Sequence, residues 1–197
     1  MGKLQLESKF NTLNSPAVIN RFNFISDSHL RSNVTDTFKY VSFLAILESE
    51  YDTTQFAGHM IFKDMIVQSA SILECLIHYK IKSLRDTGVV NIESLKLKVK
   101  EEYVNPKILY PLNLSEQLVI VIQRINNRDI ADDEQFIILN RCAKRIGLFN
   151  QANFLKAEKI RILRNKVHLF GLNDTDNNYA KADVDEVFSD LHELLKL

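Results

Sequence analysis

The chain has 197 residues, with no tryptophan, five glycines, three prolines and two cysteines. So few helix breakers exclude a turn-rich all-β architecture and favour long helices. The cysteines, Cys75 and Cys142, stand in apolar helical patterns and form no CxxC pair. They exclude a disulfide framework and fit a reducing, cytoplasmic setting. Net charge is also missing, because 25 Lys and Arg balance 25 Asp and Glu. A protein that coats nucleic acid through a global field would be basic, so any such contact must come from a local patch. No apolar run approaches the roughly 18 residues of a membrane span. The start of the chain, MGKLQLESKF, has no apolar signal core, so neither membrane insertion nor secretion is expected.

What remains is ordinary globular material, 46% hydrophobic and 25% charged, enough to bury a core. The expected fold is an all-α bundle of about five to seven helices. Residues 1–31 read as an irregular N-terminal arm packed on the domain through Phe10, Val18, Phe22, Phe24 and Ile25. Residues 32–197 read as a single domain. Thr35 or Asp36 would cap a helix to about Tyr51. The longest helical pattern runs from Gly58 to Arg85, with two adjoining stripes that include Met65, Ser69, Ile72, Leu76 and Leu73, Ile77, Ile81. Leu95-Lys-Leu97-Lys-Val99 alternates like a strand, yet its lysines and helical surroundings favour a helix over 91–103. A helix from Ser115 to Ile125 is expected, with a buried β-branched strand at Leu118–Ile122 as the alternative. Asp132 or Asp133 would cap a helix from Glu134 to Ile146, closed by Gly147. Asn150 opens the next helix, expected to reach Phe170 with Gly171 after it. A last helix covers about Asp183 to Leu195.

The chemistry is concentrated in Arg161-Ile-Leu-Arg164-Asn165-Lys-Val-His168. On a continuous helix, Arg161, Arg164, Asn165 and His168 fall within an arc of about 100°. Two permanent cations, an amide and a base that titrates near neutrality suit a phosphodiester. RNA carries its own nucleophile, the 2′-OH, so cleavage to a cyclic phosphate needs acid–base help and cations but no metal. In this reading His168 is the acid–base group and Arg164 the phosphate cation, with Asn165 orienting and Arg161 in reserve. Basic residues in the last turns of a helix also interact favourably with its dipole, which is the structural alternative.

Ile162-Leu-Arg164-Asn165-Lys-Val-His168 resembles the signature of HEPN domains (higher eukaryotes and prokaryotes nucleotide-binding). Ser69-Ala-Ser-Ile-Leu-Glu74-Cys-Leu resembles that family's second core helix with its acidic residue. The segments around Arg141–Phe149 and Tyr179–Val184 look like its flanking elements. The resemblance covers about residues 36–195 and is specific only at the motif. It implies an all-α, metal-independent endoribonuclease without cofactor, of a kind found in phage defence, toxin–antitoxin and RNA-processing systems. It also implies a homodimer with a composite site, RNA as substrate, a possible protein antitoxin or regulator, and support of the arginine–histidine pair by Glu74. The alternative is a non-catalytic RNA-binding or protein-interaction module. Three residues separate Arg164 from His168, one fewer than the family's usual minimum, whereas Arg161 has the usual spacing but no following Asn. Phe170 stands where one branch has a tyrosine.

Other groupings point less clearly. Asp174, Asp176, Asn178 and Asp185 mimic part of a calcium loop, but Tyr179 replaces the required glycine, so a polar loop is expected. Glu74 and His78, four apart on the long helix, could pair, but no third metal ligand is apparent. His29, His59 and His192 read as isolated structural residues. Ser69 and Ser71 lack a nucleophile elbow.

Overall fold

The computed structural model describes residues 8–9, 11–50, 55–102, 107–111, 117–120, 123–166 and 179–196. The helices are α1 (Pro16–Ile19), α2 (Ser28–Glu50), α3 (Gln55–Asp86), α4 (Ile92–Leu95), α5 (Phe136–Arg145), α6 (Gln151–Asn165) and α7 (Lys181–Leu194). A short 3₁₀ turn covers Asn20–Phe22, and four strands, β1 (Lys98–Glu102), β2 (Lys107–Pro111), β3 (Gln117–Ile120) and β4 (Gln123–Asn127), lie between α4 and α5. The protein is mostly helical, as its composition predicts. It divides into two compact units, Met1–Ile81 with Gln135–Leu197, and Lys82–Glu134.

In the first unit, local hydrogen bonds set the helix ends. Asp27 Oδ1 accepts from the Leu30 amide at 3.0 Å, so α2 opens before the Thr35 or Asp36 start that the sequence predicts. The Thr35 and Thr37 hydroxyls bond back to the Arg31 and Asn33 carbonyls at 2.7 and 2.8 Å, the habit of threonine inside a helix. Asn150 Oδ1 accepts from the Asn153 amide at 2.8 Å and caps α6 where expected. Gly147, at φ +78°, supplies the left-handed residue that closes the turn after α5. That helix starts at Phe136 rather than Glu134. Asp183 Oδ2 accepts from the Ala180 amide at 2.9 Å, so it serves α7 from the third helical position instead of capping it.

The core of this unit forms where α3 meets the arm. Phe22, Ile25, Val34, Ile72 and Leu76 make one buried cluster, with Leu30, Phe38, Cys75, Tyr79 and Leu195 packed against it. The Tyr79 hydroxyl accepts from the Ser26 amide at 3.0 Å and can donate to the Phe24 carbonyl at 3.2 Å, fastening the arm to α3. On α6, Ala157, Ile160 and Leu163 are buried at helical spacing and hold its inner face. Because Ile160 is fully enclosed, Ile160→Ala should destabilise the protein by about 2–5 kcal/mol in urea unfolding.

The second unit departs from the sequence reading. The helix expected over 91–103 shrinks to α4, capped by Asn91 Oδ1 accepting from the Ser94 amide at 2.8 Å. Lys96 then turns left-handed at φ 55°. From Lys98 the chain is β1, antiparallel to β4 with Lys98 opposite Asn127 and Glu102 opposite Gln123. The helix expected from Ser115 to Ile125 is likewise replaced by strands, β3 pairing antiparallel with β2. Alternation and β-branched residues outweigh the helix preference of the interspersed lysines. At the base of the unit, Lys82 pairs with Asp132, Arg85 with Asp129, and Arg128 with the buried Glu134 carboxylate at 2.5 and 3.1 Å. Glu134 is therefore bound to Arg128 and not free to open α5.

Candidate functional site

Burial of Ala157, Ile160 and Leu163 fixes the rotation of α6 and thereby the directions of its two arginines. They diverge. Arg161 folds back on its own helix, its Nε and Nη2 donating to Glu158 Oε2 at 3.0 and 2.9 Å. The other oxygen of Glu158 accepts from Asn140 Nδ2 on α5 at 2.8 Å. Arg161 thus belongs to a bridge between α5 and α6, with only 17% of its side chain exposed. Arg164 reaches across to α3, where its Nη1 donates to Glu74 Oε2 at 2.6 Å. Its side chain remains 32% exposed against 24% for Glu74. Part of the guanidinium is therefore open to solvent while its orientation is fixed. Asn165, next in the chain, is exposed.

The helix is shorter than its pattern predicts. Its last helical residue is Asn165, and Lys166 is the C-terminal capping residue, its amide donating to the Ile162 and Arg164 carbonyls. The expected run to Phe170 is corrected accordingly. His168, Phe170, Gly171 and the acidic loop Asp174–Asn178 lie outside the described residues. Of the four polar residues of the motif, the structure places Arg161, Arg164 and Asn165.

The far side of that segment is anchored close by. Tyr179 is buried and its hydroxyl donates to the Leu163 carbonyl, in the last turn of α6, at 3.3 Å. Burial, helped by the charge of Asp183, pushes its phenol above the ordinary range. His59 Nδ1 donates to the Tyr179 carbonyl at 3.0 Å, so this histidine, read as isolated, ties α3 to the start of the last segment. Its Nε2 is enclosed without a partner among the described residues. Beside Glu74, burial raises the Cys75 thiol above its usual range, with the Glu74 charge adding to it, which disfavours a reactive thiolate. Among the described residues no group of three or more His, Cys, Asp and Glu is arranged to hold a metal ion.

Sequence reasoning missed the Asn140–Glu158–Arg161 bridge and a contact in which Arg21 Nη2 donates to His192 Nδ1 at 2.9 Å. The Glu158–Arg161 pair, three residues apart on one helix, was a local signal that went unread, whereas Asn140–Glu158 and Arg21–His192 join residues on different elements and leave none. Compared with protein-family models, with curated proteins and with solved structures, the chain shows no significant match.

Glu158 supplies a pH test of the bridge. Burial raises its pKa, but hydrogen bonds from Arg161 and Asn140 and the charges of Arg161 and Arg141 outweigh this and hold it below the ordinary value. A carboxyl depressed in the folded state adds stability above its unfolded pKa, roughly 4.3, and loses it as the pH falls through the folded value. Glu158→Gln should therefore lower stability at neutral pH and flatten the loss of stability below about pH 4, measured by urea unfolding from pH 7 to pH 3.

Proposed function

We propose that this protein is a metal-independent endoribonuclease of the HEPN type, with Arg164 as the cation at the scissile phosphate and His168 as the acid–base group. The pairing of Arg164 with Glu74 at 2.6 Å carries the reading. It joins the arginine of the motif to the acidic residue of the long helix, two features that the resemblance draws from separate parts of the chain. The pair presets one rotamer of a cation that would otherwise sample many, which is what recognition of a phosphate in transit requires. Arg161 is committed to Glu158, itself held by Asn140, which leaves Arg164 as the better placed of the two.

His168 is four positions beyond Arg164, so covalent geometry keeps the two α-carbons within about 14 Å. Histidine titrates near neutrality and can remove the 2′-OH proton or protonate the leaving 5′-oxygen. Asn165 lies exposed beside Arg164 and can position a ribose or phosphate oxygen. The composite site of a homodimer fits the outer face of α6. Leu155 and Ile162, seven residues apart, are 57% and 50% exposed there, an apolar pair suited to a second copy of the same helix.

The test is incubation of the purified protein with single-stranded RNA and with tRNA in EDTA. Cleavage leaving 2′,3′-cyclic phosphate ends is expected, with loss of about 10²–10⁴ in rate in His168→Ala and in Arg164→Ala and a smaller loss in Arg161→Gln. Full activity in His168→Ala would overturn the assignment. The short Arg164–His168 spacing favours a second reading, a non-catalytic module that binds RNA or a protein. Its signature is salt-sensitive RNA binding with no product. Ile162→Asp should weaken self-association in sedimentation and, where the composite site operates, lower the rate per chain at low protein concentration.

A further inference from the structure

Away from α6, the arm, α2, α3 and α7 of the first unit enclose a cavity of about 220 Å³. Most of its wall is apolar, including Phe38, Val41, Ile72, Phe188 and Leu191. A space of this size exceeds the roughly 150 Å³ of an apolar cavity known to hold a benzene ring. Two polar features interrupt the wall. The Ser69 side chain is 0% exposed and its hydroxyl has no hydrogen-bond partner among the described residues. Leaving a buried hydroxyl unpaired costs about 1–3 kcal/mol, so the group calls for a partner that the described residues do not provide. At the exposed edge stand Arg21 and His192, joined at 2.9 Å, with the Arg21 guanidinium 4.9 Å from the Phe38 ring centroid. Among the described residues Arg21 has no carboxylate partner, and no acidic residue lines the cavity.

A cation at the rim, an apolar middle and an unsatisfied hydroxyl inside define the complement. We propose that the cavity binds a small aromatic acid, its carboxylate on Arg21 and a hydroxyl or carbonyl oxygen at its opposite end on Ser69. An unsubstituted alkyl acid would satisfy Arg21 but leave Ser69 unpaired. A neutral aromatic would fill the space but forgo the cation. A bidentate carboxylate on Arg21 keeps the stacking of its guanidinium on Phe38. The Arg21–His192 contact needs His192 Nδ1 as an acceptor, so the imidazole proton sits on Nε2 and can serve the same carboxylate.

Calorimetric titration of the full chain with 4-hydroxyphenylacetate and with phenylacetate tests this. The hydroxylated acid is expected to bind at least tenfold more tightly than phenylacetate. Ser69→Ala should abolish that preference while leaving thermal stability unchanged or higher. Arg21→Gln, an exposed substitution, should weaken both acids about tenfold, and Ala45→Phe, which fills the cavity, should remove binding altogether. Absence of binding at millimolar concentration, equal affinity in Arg21→Gln, or an undiminished preference in Ser69→Ala would each overturn the proposal. None of these variants touches α6, so their outcome is independent of the ribonuclease assay.

Discussion

A half-buried cation cannot be left unpaired, and the ion pair of Arg164 with Glu74 is the constraint around which the motif helix is arranged. Its net contribution to stability is small, because exposed pairs yield about 0.2–1 kcal/mol and partial burial adds a desolvation cost. Its consequence is geometric. Ala157, Ile160 and Leu163 fix the rotation of α6 by burial, and Glu74 then selects one direction for the guanidinium that this rotation allows. An arginine in a fixed direction with a third of its side chain exposed is prepared to meet an anion without a large entropic cost. The same carboxylate also dilutes the positive field, so in the proposed role Arg164 would act by aligned hydrogen bonds at short range rather than by attraction from a distance. That suits a chain whose overall charge is zero.

Arg161 shows what the alternative looks like. It lies one turn earlier on the same helix and has the same chemistry, yet two of its nitrogens are taken by Glu158, which is itself held by Asn140. With its exposure halved relative to Arg164, it braces Glu158, the residue that bridges α6 to α5. Nothing in the spacing of the two arginines distinguishes them. The difference arises from where the acid stands, on the same helix three residues before Arg161 and on α3 for Arg164.

Residues whose partners lie within one turn were legible in the sequence. Asn150 capping α6 and Gly147 closing α5 follow from hydrogen bonds three or four residues long. The long helix α3 follows from its stripes. Sequence reading failed where two local tendencies compete, as in the lysine alternation before Val99. Propensity favoured a helix there, but pairing with a strand some 25 residues away decided the outcome. It failed also at Thr35, whose capping habit was preempted by Asp27. The site divides in the same way. The identity and spacing of Arg164, Asn165 and Glu74 are visible in the chain, as is Glu158 one turn before Arg161, whereas the pairing of Arg164 with Glu74 depends on helix packing and could not be read from it.

The polar groups buried in the first unit fall into two kinds. Most of those around α6 are paired: Glu158 with Arg161 and Asn140 Nδ2, Arg164 with Glu74, and the Tyr179 hydroxyl with the Leu163 carbonyl, while Asn140 Oδ1 and His59 Nε2 are enclosed without a partner among the described residues. Pairing of this sort makes a rigid platform whose energy was settled during folding. The Ser69 hydroxyl is of the other kind, enclosed and unpaired on a cavity wall. A paired network resists change and suits the positioning of catalytic groups. An unpaired hydroxyl gains energy only when something arrives, and so suits binding.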